Sequence, residues 1–216
     1  MLNDKILEYV DKCTPKTACV FKDYLNYLSK NLLEVQKEIK KYDNEFLLNQ
    51  EQKEIYSRRI LELMTLSDKD FVPPLSARTS TLQKKLDISD VSGDVTPYFN
   101  EMIKQNILAF IEDGVFLGFV SFKENYVNEI IDNETLPNIY LSTLVMDKEA
   151  RGKHLTQRAY EYLFNSLYPK HNIFTRTWAT NIAHTKILEK FCFKEFYRIK
   201  NDRGNNIDTV YFNKTR

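Results

Sequence analysis

Val145-Met146-Asp147-Lys148-Glu149-Ala150-Arg151-Gly152-Lys153-His154-Leu155-Thr156 is the stretch whose reading decides the fold. Asn138 to Met146 predicts a strand, with Ile139, Leu141, Thr143 and Val145 on one face. A short charged turn follows, and a helix predicted over Ala150 to Leu167 opens on Arg-Gly-Lys. The first turn of a helix presents unpaired N–H groups and a partial positive charge. That is a ready anion site, and diphosphate is its commonest cargo. Gly152 permits close approach, and Arg151 and Lys153 add positive charge.

The flanking sequence changes period around this turn. Ile107 to Ile111 predicts an apolar strand, and Val115 to Phe122 the return strand. Asp113-Gly114 between them is hairpin chemistry, because both residues tolerate positive φ. Residues 123 to 136 predict an acidic loop. Downstream, Ile173 to Trp178 predicts a strand and Asn181 to Lys190 a helix with Asn181 as N-cap. Phe193 to Lys200 and Ile207 to Phe212 predict two strands joined by a polar Gly-containing turn. The order β-β-β-α-β-α-β-β, with hairpins on both sides of a strand–helix–strand unit, means a mixed sheet in an α/β domain.

Residues 1–66 have a different texture. They hold no glycine and one proline, Pro15, and their apolar positions recur at helical spacing. They predict an all-helical N-terminal extension before a domain at 67–216. Pro73-Pro74 breaks any regular helix at the junction, short helices are predicted at Thr81 to Leu86 and Pro97 to Lys104, and Pro97 suits a first turn.

Composition narrows the function classes. Lys plus Arg number 31 against 30 for Asp plus Glu, a formal net charge of +1, so no global field gathers nucleic acid or an anionic membrane. Cys13, Cys19 and Cys192 fit free thiols better than a disulfide framework. No CxxC pair or HExxH motif occurs. The charged N-terminus and the lack of a long apolar run predict a cytoplasmic protein with no membrane partner.

The helix-opening segment resembles motif A of the GNAT N-acyltransferases, Arg/Gln-x-x-Gly-x-Gly/Ala after a strand. Arg151 matches the first position; His154 and Thr156 stand where small residues are usual. Asn181 to Phe193 resembles the family's Asn-led helix running into Gly-Phe, with Cys192 in place of the glycine. The closing hairpin also fits, so the resemblance spans about residues 106 to 213. It implies a GNAT fold, mixed and mostly antiparallel, whose central strands splay apart. It implies acetyl-CoA as cosubstrate and no metal. The diphosphate would lie on the amides of Arg151, Gly152, Lys153, His154, Leu155 and Thr156, and the pantetheine beside Leu144, Val145 and Met146. Asn181 would reach the arm or the acceptor edge of the slot.

The implied reaction is direct attack of a neutral primary amine on the thioester, with a backbone amide near Leu144 to Met146 steadying the oxyanion. Many members carry a Tyr on the second helix as acid; Leu188 occupies that place, and Asn138 stands where a base is sometimes found. Glu124, Tyr140 and Tyr211 are the substitute catalytic candidates. His154 is read as a phosphate partner or a surface histidine, and His184 as an acceptor-side base or an exposed residue. Two functions stay open: an active N-acetyltransferase on a small-molecule or protein amine, and a weakly catalytic acyl-CoA-binding module acting through the extension. The extension would suit a homodimer or a protein partner. Glu124, Glu129, Asp132 and Glu134 in the acidic loop hint at a cationic acceptor, with an ordinary solvated loop as the plainer reading.

Overall fold

The structure, a computed structural model, describes residues 45–79, 93–204 and 206–216. The helices expected before residue 44 and at Thr81 to Leu86, together with Cys13 and Cys19, lie outside the described residues. The compact body runs from Asn44 to Arg216. In chain order it contains β1 (Glu45–Leu47), α1 (Gln50–Leu66), α2 (Thr96–Met102), β2 (Asn106–Glu112), β3 (Val115–Glu124), β4 (Asn138–Met146), α3 (Leu155–Tyr162), β5 (Asn172–Trp178), α4 (Ile182–Lys190), β6 (Lys194–Ile199) and β7 (Thr209–Lys214). The seven strands form one sheet in the order β1-β2-β3-β4-β5-β7-β6. Among the described residues, only β4 and β5 run parallel.

Strand alternation sends residues to two cores. Leu108, Phe110, Ile139 and Ile173 point to the α3/α4 face, where they meet Leu155, Leu163, Phe164 and Leu188. Ile107, Ala109, Ile111 and Phe119 point to the α1/α2 face and meet Ile60, Leu63, Tyr98 and Met102. A sheet covered on both faces explains why β2 reads as a continuous apolar run.

Within the all-helical extension expected over 1–66, the described residues 45–66 form a strand as well as a helix. β1 pairs with β2, and α1 buries Ile60, Leu63 and Met64 at helical spacing in the core. Helical periodicity places such a segment on some core without saying which. Asn49 and Gln52 form a reciprocal capping box that fixes where α1 begins. The β2–β3 hairpin turns as expected, with Asp113 at φ 51 and Gly114 at φ 77.

Two local departures create the site. β4 carries an extra residue, because Ser121 faces Thr143 while Phe122 faces Leu141. Ser142 is therefore a bulge, and the single face expected for Ile139, Leu141, Thr143 and Val145 is broken there. Ile139 and Leu141 stay on the α3/α4 face, whereas Val145 joins the opposite core and the Thr143 hydroxyl meets Tyr98 of α2. The second departure is the start of α3. Gly152 at φ 81 and His154 at φ 60 hold back the helix expected from Ala150, so its first residue is Leu155. Its far end widens into a π-turn over Leu163–Leu167. Among the described residues no helix is long and apolar enough to cross a membrane.

Candidate functional site

β4 and β5 pair from Asn138↔Asn172 to Leu141↔Thr175 and then separate. The last bond between them runs from Thr175 Oγ1 to the Leu141 carbonyl, at 3.1 Å. The bulge at Ser142 comes immediately after, bending β4 away from its neighbour. A cavity of about 470 Å³ fills the gap, lined by Ser142 to Met146 on one side and Thr175 to Trp178 on the other. The parting passes through the sheet. Thr175 and Thr177 lie on the face of Ile173, towards α3 and α4, while Arg176 and Trp178 lie on the face of Phe174, away from it.

On the α3/α4 side the cavity meets the uncapped end of α3. Asn49 caps α1 and Asn181 caps α4, but no side chain caps α3. The first helical bond of α3 comes from the Arg158 amide to His154, so the amides of Leu155 to Gln157 lack helical partners. Arg151, Gly152, His154, Leu155 and Thr156 line the cavity, as do Leu144, Val145 and Met146. Lys153 is exposed and lies off the lining. Arg151 is partly spent, since its Nη2 donates to Asp70 Oδ2 at 2.6 Å and its guanidinium reaches the Met146 carbonyl. Asn181 also lines the cavity, but its oxygen caps α4 through the His184 amide and its Nδ2 donates to Thr177 Oγ1 at 2.9 Å.

The three expected catalytic residues are not brought to the cavity lining. Glu124 pairs with Ile139 at the closed end of the parting and accepts from Asn106 and the Tyr168 hydroxyl. Tyr140 precedes the bulge and is buried against Tyr126 and Phe174, where desolvation raises its phenol. Tyr211 sits one strand behind β5 and accepts from Arg176 Nη1 at 3.1 Å. Choosing among these three needed to know where β4 and β5 part, and that point lies beyond Leu141 and away from all of them.

Two other pairs stand in the cavity instead. The Tyr160 hydroxyl of α3 and His184 Nε2 of α4 are 2.8 Å apart. Burial pushes His184 down to about 4 and raises Tyr160, so both are neutral at pH 7. Tyr98 and Thr143 hydroxyls bond at 2.7 Å on the opposite face. The Ser142 hydroxyl is buried, and no partner for it is found among the described residues. Tyr160 gave no sequence signal, being one aromatic in the buried stripe of an amphipathic helix.

The α1/α2 side of the cavity is strongly basic. Arg78, Arg176 and Arg203 all line it. Each guanidinium lies over a ring: Arg78 over Phe71 at 5.4 Å, Arg176 over Tyr211 at 5.9 Å and Arg203 over Trp178 at 5.8 Å. The segment carrying Phe71 crosses the mouth. Its Asp70 is tied to Arg151, and its Val72 carbonyl accepts from Arg203 Nη1 at 2.6 Å. Among the described residues, Asp70 is the single carboxylate on the lining.

Comparison with known proteins gives a fold and no close sequence relative. No family model matches the sequence, and no curated protein matches it. Solved structures do match. An N-acetyltransferase from Staphylococcus aureus superposes with a TM-score of 0.53 at 18% identity, over 80% of this chain and 98% of that one. A ribosomal-protein-alanine N-acetyltransferase from Brucella melitensis gives 0.54 at 14%, over 80% and 99%. Arabidopsis thaliana Naa50, in complex with the bisubstrate analogue CoA-Ac-MVNAL, gives 0.52 at 14%, over 80% and 99%.

Proposed function

From a chain with the GNAT N-acetyltransferase fold, we propose an acetyl-CoA-dependent N-acetyltransferase that works by direct transfer to an amine. The observation carrying this reading is the parting of β4 and β5 beside an uncapped helix start. The residues fit the cosubstrate. The free amides of Leu155 to Gln157 and the positive-φ turn through Gly152 suit a diphosphate. The edge of β4 from Ser142 to Met146, unpaired with β5, suits an amide-bearing arm laid beside it like an added strand.

Bound acetyl-CoA supplies the activated thioester. The amine nitrogen forms a bond to the carbonyl carbon, the C–S bond breaks, and the thiolate leaves with the electron pair. One proton leaves the nitrogen and one reaches the sulfur. A β4 amide between Leu144 and Met146 steadies the carbonyl oxygen as charge develops there. Tyr160 and His184 lie on the side of the sheet that holds the arm, so the Tyr160 hydroxyl is assigned as proton donor to the sulfur. His184 in its Nε2–H tautomer would hold the phenol oxygen and leave the phenol proton free. The amine proton leaves through solvent in the cavity, with alignment supplying much of the rate.

Calorimetry with acetyl-CoA and thiol release across an amine panel test this together. Micromolar binding with turnover on at least one amine supports it; no acetyl-CoA binding ends it. Binding without turnover on any amine favours an acyl-CoA-binding module. Tyr160→Phe should lower kcat about tenfold to a hundredfold with the KM for acetyl-CoA unchanged. An unchanged kcat would remove Tyr160 from the proton path.

A further inference from the structure

Resting on the acetyl-transfer reading, we propose that the acceptor amine carries an anionic group, a carboxylate or a phosphate, seated among the guanidiniums of Arg78, Arg176 and Arg203. Three observations converge on this. The cavity is lined from both faces of the sheet, and the uncapped α3 start that suits the donor's phosphates belongs to the α3/α4 face. The three arginines belong to the other face, so a second anion, separate from the donor's, is what they are placed to meet.

The bonds of Arg78 and Arg203 leave capacity for it. Arg78 gives Nε and Nη2 to the Pro73 carbonyl. Arg203 gives Nε to Thr209 Oγ1 and Nη1 to the Val72 carbonyl. These partners are neutral, and neither Arg78 nor Arg203 forms an ion pair among the described residues. Burial, then the charges of Arg78 and Arg176, pull Arg203 below its ordinary value, while a guanidinium still keeps its proton at neutral pH. Like charges gathered in a partly closed space disfavour one another, and an anion between them reverses that term. Contacts with Phe71, Tyr211 and Trp178 help hold the guanidiniums in place, and a guanidinium suits the two-oxygen geometry of carboxylate and phosphate. The acidic loop at 123 to 136, by contrast, contributes no residue to the lining, so the cationic acceptor it hinted at has no seat there.

Four related amines separate the possibilities on the full chain: ethanolamine, serine, phosphoethanolamine and O-phosphoserine. Each is measured by thiol release with acetyl-CoA and by calorimetric binding with and without CoA. The proposal expects serine, phosphoethanolamine or O-phosphoserine to exceed ethanolamine by about tenfold or more in kcat/KM or in affinity. Serine against phosphoethanolamine decides between carboxylate and phosphate. Arg203→Gln and, separately, Arg78→Lys should erase that preference and leave the affinity for acetyl-CoA unchanged; two variants guard against one that misfolds. Ethanolamine performing as well as the anionic amines overturns the proposal, as does failure of all four to bind while acetyl-CoA binds normally. So do folded variants that weaken acetyl-CoA instead. Anionic amines that bind to a protein without affinity for acetyl-CoA would keep the anion seat and remove the acetyl-transfer reading.

Discussion

His184 shows how one side chain couples the site to stability. It holds a neutral ring against Tyr160, with burial pushing it down to about 4 from its ordinary 6.5. The unfolded chain takes up a proton between those values and the folded chain does not, so stability falls as pH drops from about 6.5 to 4 and is constant above. Denaturant melts across that window should show a loss on the order of 2–3 kcal/mol from this residue. His184→Asn should flatten the slope. Gly152 makes a different residue-scale point. Its φ of 81 is strained for any residue with a Cβ, although a Cβ there meets nothing within 4 Å. Gly152→Ala should therefore cost about 1–2 kcal/mol of stability through the backbone alone. A measured loss near zero would mean the turn relaxes. At this scale the sequence was legible where chemistry is local: Asn181 caps its helix and Asp113-Gly114 turns its hairpin because each acts on neighbouring backbone. Arg78, Arg176 and Arg203 left no such trace, since only the fold brings a loop, a strand and a hairpin turn to one cavity.

At the scale of elements, β4 is the informative strand. Its alternation of Ile139, Leu141, Thr143 and Val145 is unbroken in sequence, yet Ser142 reverses it halfway. A bulge adds a residue without changing composition, so periodicity cannot report it. Deleting Ser142 should return Thr143 and Val145 to the wrong core and close the parting. The expected outcome is a fall in melting temperature together with loss of acetyl-CoA binding, read by calorimetry. A shortened strand that still binds would show the parting is held by other parts. The α1 helix was legible as a helix, and its period left open whether it packs on the sheet or on another subunit. Leu63 is buried between α1 and the sheet, so Leu63→Ala should cost about 3–5 kcal/mol in denaturant unfolding. A cost below about 1 kcal/mol would restore α1 to a peripheral role.

For the whole molecule, the compact unit from Asn44 to Arg216 sets where the chain can be cut. Removal of residues 1–43 should leave a protein that unfolds cooperatively, whereas removal of 1–66 should also strip β1 and α1 and expose Ile107, Ala109 and Phe119. Circular dichroism melts of the two truncations check this; equal melts would contradict the placement of α1. The β4–β5 parting lies outside both cuts and is lined from both faces of the sheet, and that has a kinetic signature. On the proposed acetyl-transfer reading, donor and acceptor would meet from opposite faces of the sheet, so neither would have to depart before the other arrives. Double-reciprocal plots at several fixed concentrations of the second substrate should then give lines that cross, not the parallel set of an enzyme that is acylated and discharged in turn.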